Sequence, residues 1–146
     1  LVADFELEAE KRHMEIEVVT SYESIQMEAD TEKLVRVFNN LISNALKYGI
    51  DGKKIFIEVQ KVGKEAIISV NNDGLPIPQE SLNQLFDRFY RVEESRSQET
   101  GGTGLGLAIA QSIVALHGGY IYASSDTELT RFVMHLPLKQ LAEKEL

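Results

Sequence analysis

The sequence has 146 residues, 43% apolar and 26% charged, with a formal net charge of −8 and no cysteine. That suits one domain with its own core and excludes a disulfide framework or a cysteine-ligated metal site, while remaining compatible with a reducing compartment. The acidic balance argues against a nucleic-acid face, which is built from clustered Lys and Arg, so an anionic ligand must be held by local geometry. No apolar run approaches the roughly 20 residues a membrane-spanning helix needs.

In chain order, Leu1 to Arg12 is short and acidic and reads as the tail of a preceding element; with no leader pattern after Leu1, the sequence is expected to be a segment of a longer protein. Met14 to Val19 alternates with the period of a half-buried strand, and Ser24 to Glu28 is expected to form a second short strand. Asp30 is a good N-cap for a helix from Thr31 to Tyr48, which Gly49, Asp51 and Gly52 should end. Lys54 to Lys61 and Glu65 to Asn71 are alternating, β-branched runs joined around Gly63, the pattern of an antiparallel hairpin. Asn72 to Pro78 is turn-rich, and Gln79 to Tyr90 holds one or two helical turns. Arg91 to Thr103 is polar and nearly without apolar anchors, so it is expected to be mobile unless something binds it. Leu105 to Leu116 is a helix closed by Gly118 and Gly119, and Tyr120 to Ser124 and Arg131 to Leu136 are two final strands. The mixed order and the hairpins predict an α/β (α+β) two-layer sandwich: a mixed, mainly antiparallel sheet of about five strands backed by about three helices.

Three stretches carry candidate chemistry. In the helix from Thr31 to Tyr48, Asn40, Asn44 and Lys47 are spaced by four and three and share one face, beside an apolar face of Leu34, Val37, Phe38, Leu41 and Ala45. Asparagine is a weak helix former, so this is either a solvated face or a set of neutral oxygen ligands for Mg²⁺ with Lys47 turned to phosphates. Asn72-Asp73-Gly74 is either a turn or an acceptor for a purine amino group, with Gly74 allowing a base to lie against the backbone. Gly101-Gly102-Thr103-Gly104-Leu105-Gly106-Leu107 holds four of the ten glycines and runs directly into a helix. Its N–H groups and the helix N-terminus suit a phosphate, and the other reading is a flexible loop.

Asn40 to Tyr48, Leu85 to Arg91 and Gly102 to Ile109 together resemble the N, F and G2 boxes of the catalytic ATP-binding domain of bacterial sensor histidine kinases, in that family's order and spacing. The resemblance runs from about residue 11 to Pro137, and is greatest to kinases paired with winged-helix response regulators. It implies a Bergerat-type ATP site with a mobile lid. By the resemblance Asn44 coordinates Mg²⁺, Asn40 lines the phosphate and metal region, Lys47 contacts phosphate and Tyr48 lies beside the adenosine. Arg91 matches a lid arginine that reaches the γ-phosphate, and Gly102, Thr103, Gly104, Leu105 and Gly106 wrap the triphosphate with Leu107 beside them. Ile77 and Phe89 also fall in the nucleotide site, although Phe86 and Phe89, as an aromatic pair, read as anchors of the lid. The family's Asp-x-Gly-x-Gly box reads Asn72-Asp73-Gly74-Leu75-Pro76 here. Asn72 therefore stands at the adenine-reading aspartate, with Asp73 one residue late, and Pro76 removes an N–H. The last box, glycine-rich in the family before Thr-x-Phe, reads Thr127 to Phe132 here.

The expected activity is transfer of the γ-phosphoryl group of Mg·ATP to a histidine on a separate hairpin domain of the same protein, which signals to a response regulator. None of His13, His117 and His135 reads as that acceptor, and His117 reads as a favourable cation at a helix C-terminus. Residues 1–12 are expected to end a linker, 13–138 to form the catalytic domain and 139–146 a tail. The domain is expected to be cytoplasmic and monomeric without direct membrane contact, in a dimeric, membrane-anchored parent. The alternatives are a degenerate regulatory module, or another ATPase of the superfamily such as an anti-sigma serine kinase, a topoisomerase subunit or a heat-shock chaperone.

Overall fold

The computed structural model describes residues 2–20, 25–49, 53–74, 77–82, 84–87, 106–125 and 129–139. After a 3-10 turn (Val2–Phe5) and a short helix α1 (Glu6–Lys11), strand β1 (Glu15–Thr20) lies parallel to β2 (Lys54–Val62), in register from Glu15 opposite Lys54 to Thr20 opposite Val59. Parallel neighbours cannot be joined by a tight turn, so the chain between them must cross over a face of the sheet. Helix α2 (Thr31–Tyr48) is that crossover. Every other neighbouring pair is antiparallel: β2 with β3 (Glu65–Asp73), β3 with β5 (Leu129–Pro137), and β5 with β4 (Tyr120–Ser125). The result is the expected two-layer sandwich, a five-stranded mixed sheet in the order β1-β2-β3-β5-β4.

Helix α2 has the bounds its capping signals predict. Asp30 is extended at the N-cap, and its carboxylate accepts from the Lys33 N–H at 3.1 Å. Leu34, Val37, Leu41 and Ala45 are buried against the sheet as the spacing requires, and Ile42 and Leu46 join them, so the buried face is wider than the predicted stripe. Opposite them Ile55, Ile57, Ile68, Val70, Phe132, Met134 and Leu136 complete one core, to which helix α4 (Gly106–Leu116) adds Ala110, Ile113 and Val114. Phe86 meets Phe132 edge-on at 6.2 Å, so it is a core anchor; a single helical turn, α3 (Gln79–Leu82), precedes it. Helix α1 packs on this core through Ala9, beneath Met14. His13 stands between them at a left-handed φ of 57° and closes α1, with the Met14 N–H donating to the Ala9 carbonyl.

Of the second predicted strand, Ser24 lies outside the described residues, and the rest is not a strand. Residues 25–30 form no regular element, and the Glu28 N–H donates instead to the Leu138 carbonyl at 2.8 Å. Met27 and Ala29 turn to the core while Gln26 and Glu28 face solvent, so the alternation that suggested a strand records an extended segment with one side buried. Period two is required by such a segment whether or not a neighbour supplies a ladder.

At the other end of α4 the turn is a Schellman closure: the Gly119 N–H reaches the Val114 carbonyl, the Gly118 N–H reaches the Ala115 carbonyl, and Gly118 sits at φ 81°. A Cβ on Gly119 would overlap the His135 carbonyl, whereas one on Gly63, at φ 62° in the hairpin turn, meets nothing. Gly119→Ala should therefore cost about 2 kcal/mol or more and Gly63→Ala about 1 kcal/mol, from overlap and from backbone strain respectively, in urea unfolding. Equal losses would show that the sheet edge yields freely at Gly119.

Candidate functional site

The polar face of α2 lies where the sheet ends. Asn40, Asn44 and Lys47 are half-buried on the face adjoining the core residues Leu41 and Ala45, whereas Asn39 is exposed. Gly49 caps the helix with its N–H on the Ala45 carbonyl at 2.9 Å and then forms an isolated antiparallel bridge with Gly74. That bridge ties the end of α2 to the end of β3. It sets the last turn of α2, with Lys47, at the strand end that carries Asn72, Asp73 and Gly74, while Asn44 and Asn40 follow one and two turns back along the helix.

Strand alternation separates the candidate residues on β3. Asn72 pairs with Ile55 and Thr130 on the helix-bearing side and is 4% exposed, whereas Asn71 and Asp73 belong to the opposite face. The Asn72 side-chain amide donates to the Asp73 carbonyl at 3.2 Å, which leaves Oδ1 as its acceptor. Asn71 is wholly buried on the far side, donating to the Phe56 carbonyl and to the Ser69 hydroxyl at 3.0 Å each.

Two residues outside the predicted set complete this row. Thr130 lies across from Asn72 and is buried, and its hydroxyl meets that of Ser125, in register on β4, at 3.3 Å. The Ser125 hydroxyl also accepts the Ile77 N–H at 2.9 Å, so Ile77 is held at the same end of the sheet. The signal for Thr130 was in the sequence, since Thr130-Arg131-Phe132 is itself a Thr-x-Phe; Ser125 had none, because only the register of β4 on β5 puts it there.

Helix α4 enters from the other side. The Asn40 amide donates to the carbonyl of Gly106, the first residue of α4, at 3.1 Å, and a Cβ on Gly106 would meet the Asn40 side chain at an ordinary 3.6 Å. Leu107 packs on the core. Phe89, Arg91, Gly102, Thr103, Gly104 and Leu105 lie outside the described residues, as do the side chain of Tyr48 and the predicted lid. Among the described residues no three His, Cys, Asp or Glu side chains converge to hold a metal. A hard cation at this end of the sheet thus has the amide oxygens of α2 to draw on, together with water and the ligand's own oxygens.

The histidine at the far end of α4 is bonded at both ring nitrogens. His117 is 5% exposed; its Nδ1 bonds the Ile113 carbonyl at 2.9 Å and its Nε2 accepts the Asp30 N–H at 3.0 Å. A ring that donates at one nitrogen and accepts at the other is neutral, so the expectation of a charge on the helix terminus is replaced by a hydrogen bond between two helices.

This fold has counterparts. The family described as histidine kinase-, DNA gyrase B-, and HSP90-like ATPase matches residues 29–140, and the chain belongs to that family. The sensor histidine kinase CusS of Escherichia coli is 44% identical over 91% of this chain and 27% of its own length. The sensor protein VanS of Enterococcus faecium is 42% identical over 82% of this chain and 31% of its own. The chain thus spans about a third or less of the curated relatives it matches. Among solved structures, the catalytic domain of the histidine kinase ThkA superposes with a TM-score of 0.84 at 29% identity, covering 94% of this chain and 88% of that one. The mycobacterial sensor histidine kinase MprB gives 0.81 at 26%, covering 95% and 93%.

The Asn40 contact carries a sign that mutation can read. Asn40→Ala should cost about 1 kcal/mol, the net worth of one part-buried hydrogen bond, and Asn40→Asp should cost more because it sets a carboxylate against the Gly106 carbonyl. Urea unfolding of both proteins checks the order, and an Asp variant as stable as the parent would remove the contact from the account.

Proposed function

We propose that this chain is the ATP-binding catalytic domain of a sensor histidine kinase, which binds Mg·ATP and donates its γ-phosphoryl group to a histidine on a separate dimerisation domain of the same protein. The observation that carries the reading is the Gly49–Gly74 bridge, which joins the end of the helix that bears Asn40, Asn44 and Lys47 to the end of the strand that bears Asn72. A triphosphate and a purine need both sets within one ligand's length.

In this reading Asn44 contributes a neutral amide oxygen to the metal, and Asn40 lines the same region with the Oδ1 that its bond to Gly106 leaves over. Lys47 presents a point charge to the phosphates, and Arg91 and the N–H groups of Gly102, Thr103, Gly104, Leu105 and Gly106 do the rest of the charge neutralisation. Magnesium, when bound, offsets charge on the phosphates as the phosphoryl group transfers. The Asn72 Oδ1 accepts from the adenine amino group, and Thr130 and Ser125 keep that end of the pocket polar. Tyr48, Asp73, Gly74, Ile77, Phe89 and Leu107 border the nucleoside.

The replacement of an aspartate by Asn72 favours weaker binding in a degenerate regulatory module. Against this, the amide already spends its N–H on Asp73, so its oxygen is the atom available to a purine. Residues 13–138 form the catalytic unit, with 1–12 ending a linker and 139–146 a tail; the isolated domain is a monomer, and the parent a membrane-anchored dimer that signals to a response regulator. A solved relative, ThkA, is in complex with the response regulator TrrA, superposing at a TM-score of 0.78 and 27% identity over 93% of this chain and 37% of that one.

Titration with a fluorescent ATP analogue and Mg²⁺ tests the reading, and no saturable binding at millimolar nucleotide would sink it. Joined to a phosphoacceptor hairpin, the domain should give acid-labile phosphate. Asn44→Ala should abolish the Mg²⁺-dependent part of the affinity, and a metal dependence that survives would move the ligand elsewhere. Asn72→Asp should bind adenine as well as the parent or better, so a large loss would mean that Asn72 is not the reader.

A further inference from the structure

Helices α2 and α4 run antiparallel, and a hydrogen bond ties them at each end of their shared length. Near the proposed nucleotide site the Asn40 amide donates to the Gly106 carbonyl at 3.1 Å; far from it the Asp30 N–H donates to His117 Nε2 at 3.0 Å. Between these anchors the α2 segment advances ten residues and α4, with the residue that follows it, eleven, about 15 and 17 Å at the rise of an α-helix. The spans match, so the two bonds fix the axial register of one helix on the other. Between the anchors the shared core, with Leu34 and Val37 on α2 and Ala110, Ile113 and Val114 on α4, also holds the helices together, but apolar contact is non-directional and sets register less sharply than a hydrogen bond at each end.

The far anchor depends on one proton. Nδ1 faces the Ile113 carbonyl, which only accepts, so Nδ1 carries the hydrogen and Nε2 the lone pair. A proton on Nε2 turns that acceptor into a donor pointed at the Asp30 N–H. The opening beside the ring is lined by Ala29, Asp30, Lys33 and Leu116, so the ionisable groups that share it are the Asp30 carboxylate and the Lys33 ammonium, both from the start of α2 and opposite in sign. Helix α4 itself, Gly106 to Leu116, has no ionisable side chain. Asp30 is also the N-cap of α2, so a change at the ring is delivered to the first turn of the helix that carries Asn40, Asn44 and Lys47.

We propose that His117 is a positioning residue for the nucleotide site: through its neutral Nε2 it anchors the start of α2 on α4, and so sets where Asn40, Asn44 and Lys47 stand relative to the first turn of α4. The role rests on the reading of those three residues as nucleotide-binding. Nucleotide affinity then follows the protonation of a ring about 15 Å along the helix from the site.

The test compares the parent with His117→Gln, which keeps an acceptor oxygen but cannot titrate, and with His117→Leu, which keeps none. Affinity for a fluorescent ATP analogue with Mg²⁺ is measured at about pH 8 and about pH 5.5, either side of the range in which histidines titrate. The nucleotide's own titration is common to all three proteins and cancels in the comparison. The parent should lose about three- to tenfold more affinity on acidification than His117→Gln, the equilibrium weight of one hydrogen bond, and His117→Leu should be weakened by a similar factor already at the higher pH. Equal pH dependence in the parent and His117→Gln, with binding intact, overturns the role of His117 alone. Absence of saturable binding by the parent at the higher pH overturns the nucleotide reading and the role with it.

Two measurements on the unmodified protein stand even if a variant fails to fold. Imidazole nitrogen NMR should show His117 with its hydrogen on Nδ1, and hydrogen exchange should show the Asp30 amide protected at the higher pH and losing protection factor at the lower. A hydrogen on Nε2 at the higher pH, or an Asp30 amide equally protected at both, overturns the proposal.

Discussion

The bridge between Gly49 and Gly74 is the contact on which the rest of the site depends. Helix α2 has to cross the sheet because β1 and β2 are parallel, and the residue that ends it is tied to the end of β3, two residues beyond Asn72. No larger residue fits at the stop. A Cβ on Gly49 would lie 2.6 Å from the Met14 side chain and 2.7 Å from the Ala45 carbonyl, so the close approach of helix end, first strand and third strand is a glycine's alone. The site is thus a consequence of how one crossover is terminated.

Charge gives the same arrangement its chemistry. A domain with a net charge of −8 repels a triphosphate at long range, so affinity has to come from directed groups at short range. The half-buried face of α2 carries two amides and one lysine, and the strand row carries an amide and two hydroxyls. Neutral side chains of this kind lose little on leaving water if each keeps a partner, and the bonds from Asn40 to Gly106 and from Asn72 to Asp73 show how that is met without a ligand.

Much of the fold was legible in the sequence where a local rule had no competitor. Asp30, the apolar spacing of Leu34, Val37, Leu41 and Ala45, and Gly49 define α2 to the residue; Gly63 defines the hairpin between β2 and β3. Ser24 to Glu28 misled because alternation reports one-sided burial, and Met27 and Ala29 are half-buried against the core without a ladder. His117 misled because a histidine at a helix end is favourable as a cation in isolation. Here the Asp30 N–H, 87 residues away in sequence, supplies a better partner for the neutral ring.

By itself the sequence determined all but one of the described elements it proposed, the three boxes in their order, and through them the family, because caps, periodicity and glycine positions are local and spacing along a helix is fixed by its pitch. Tertiary structure alone decided which of Asn71, Asn72 and Asp73 faces the helices, that Ser125 joins Thr130 beside Asn72, and that His117 bonds to the Asp30 N–H. Each of those depends on strand register or on a partner distant in the chain. A one-residue shift of register would turn every side chain on β3 to the other face, and nothing local records which register the sheet adopts.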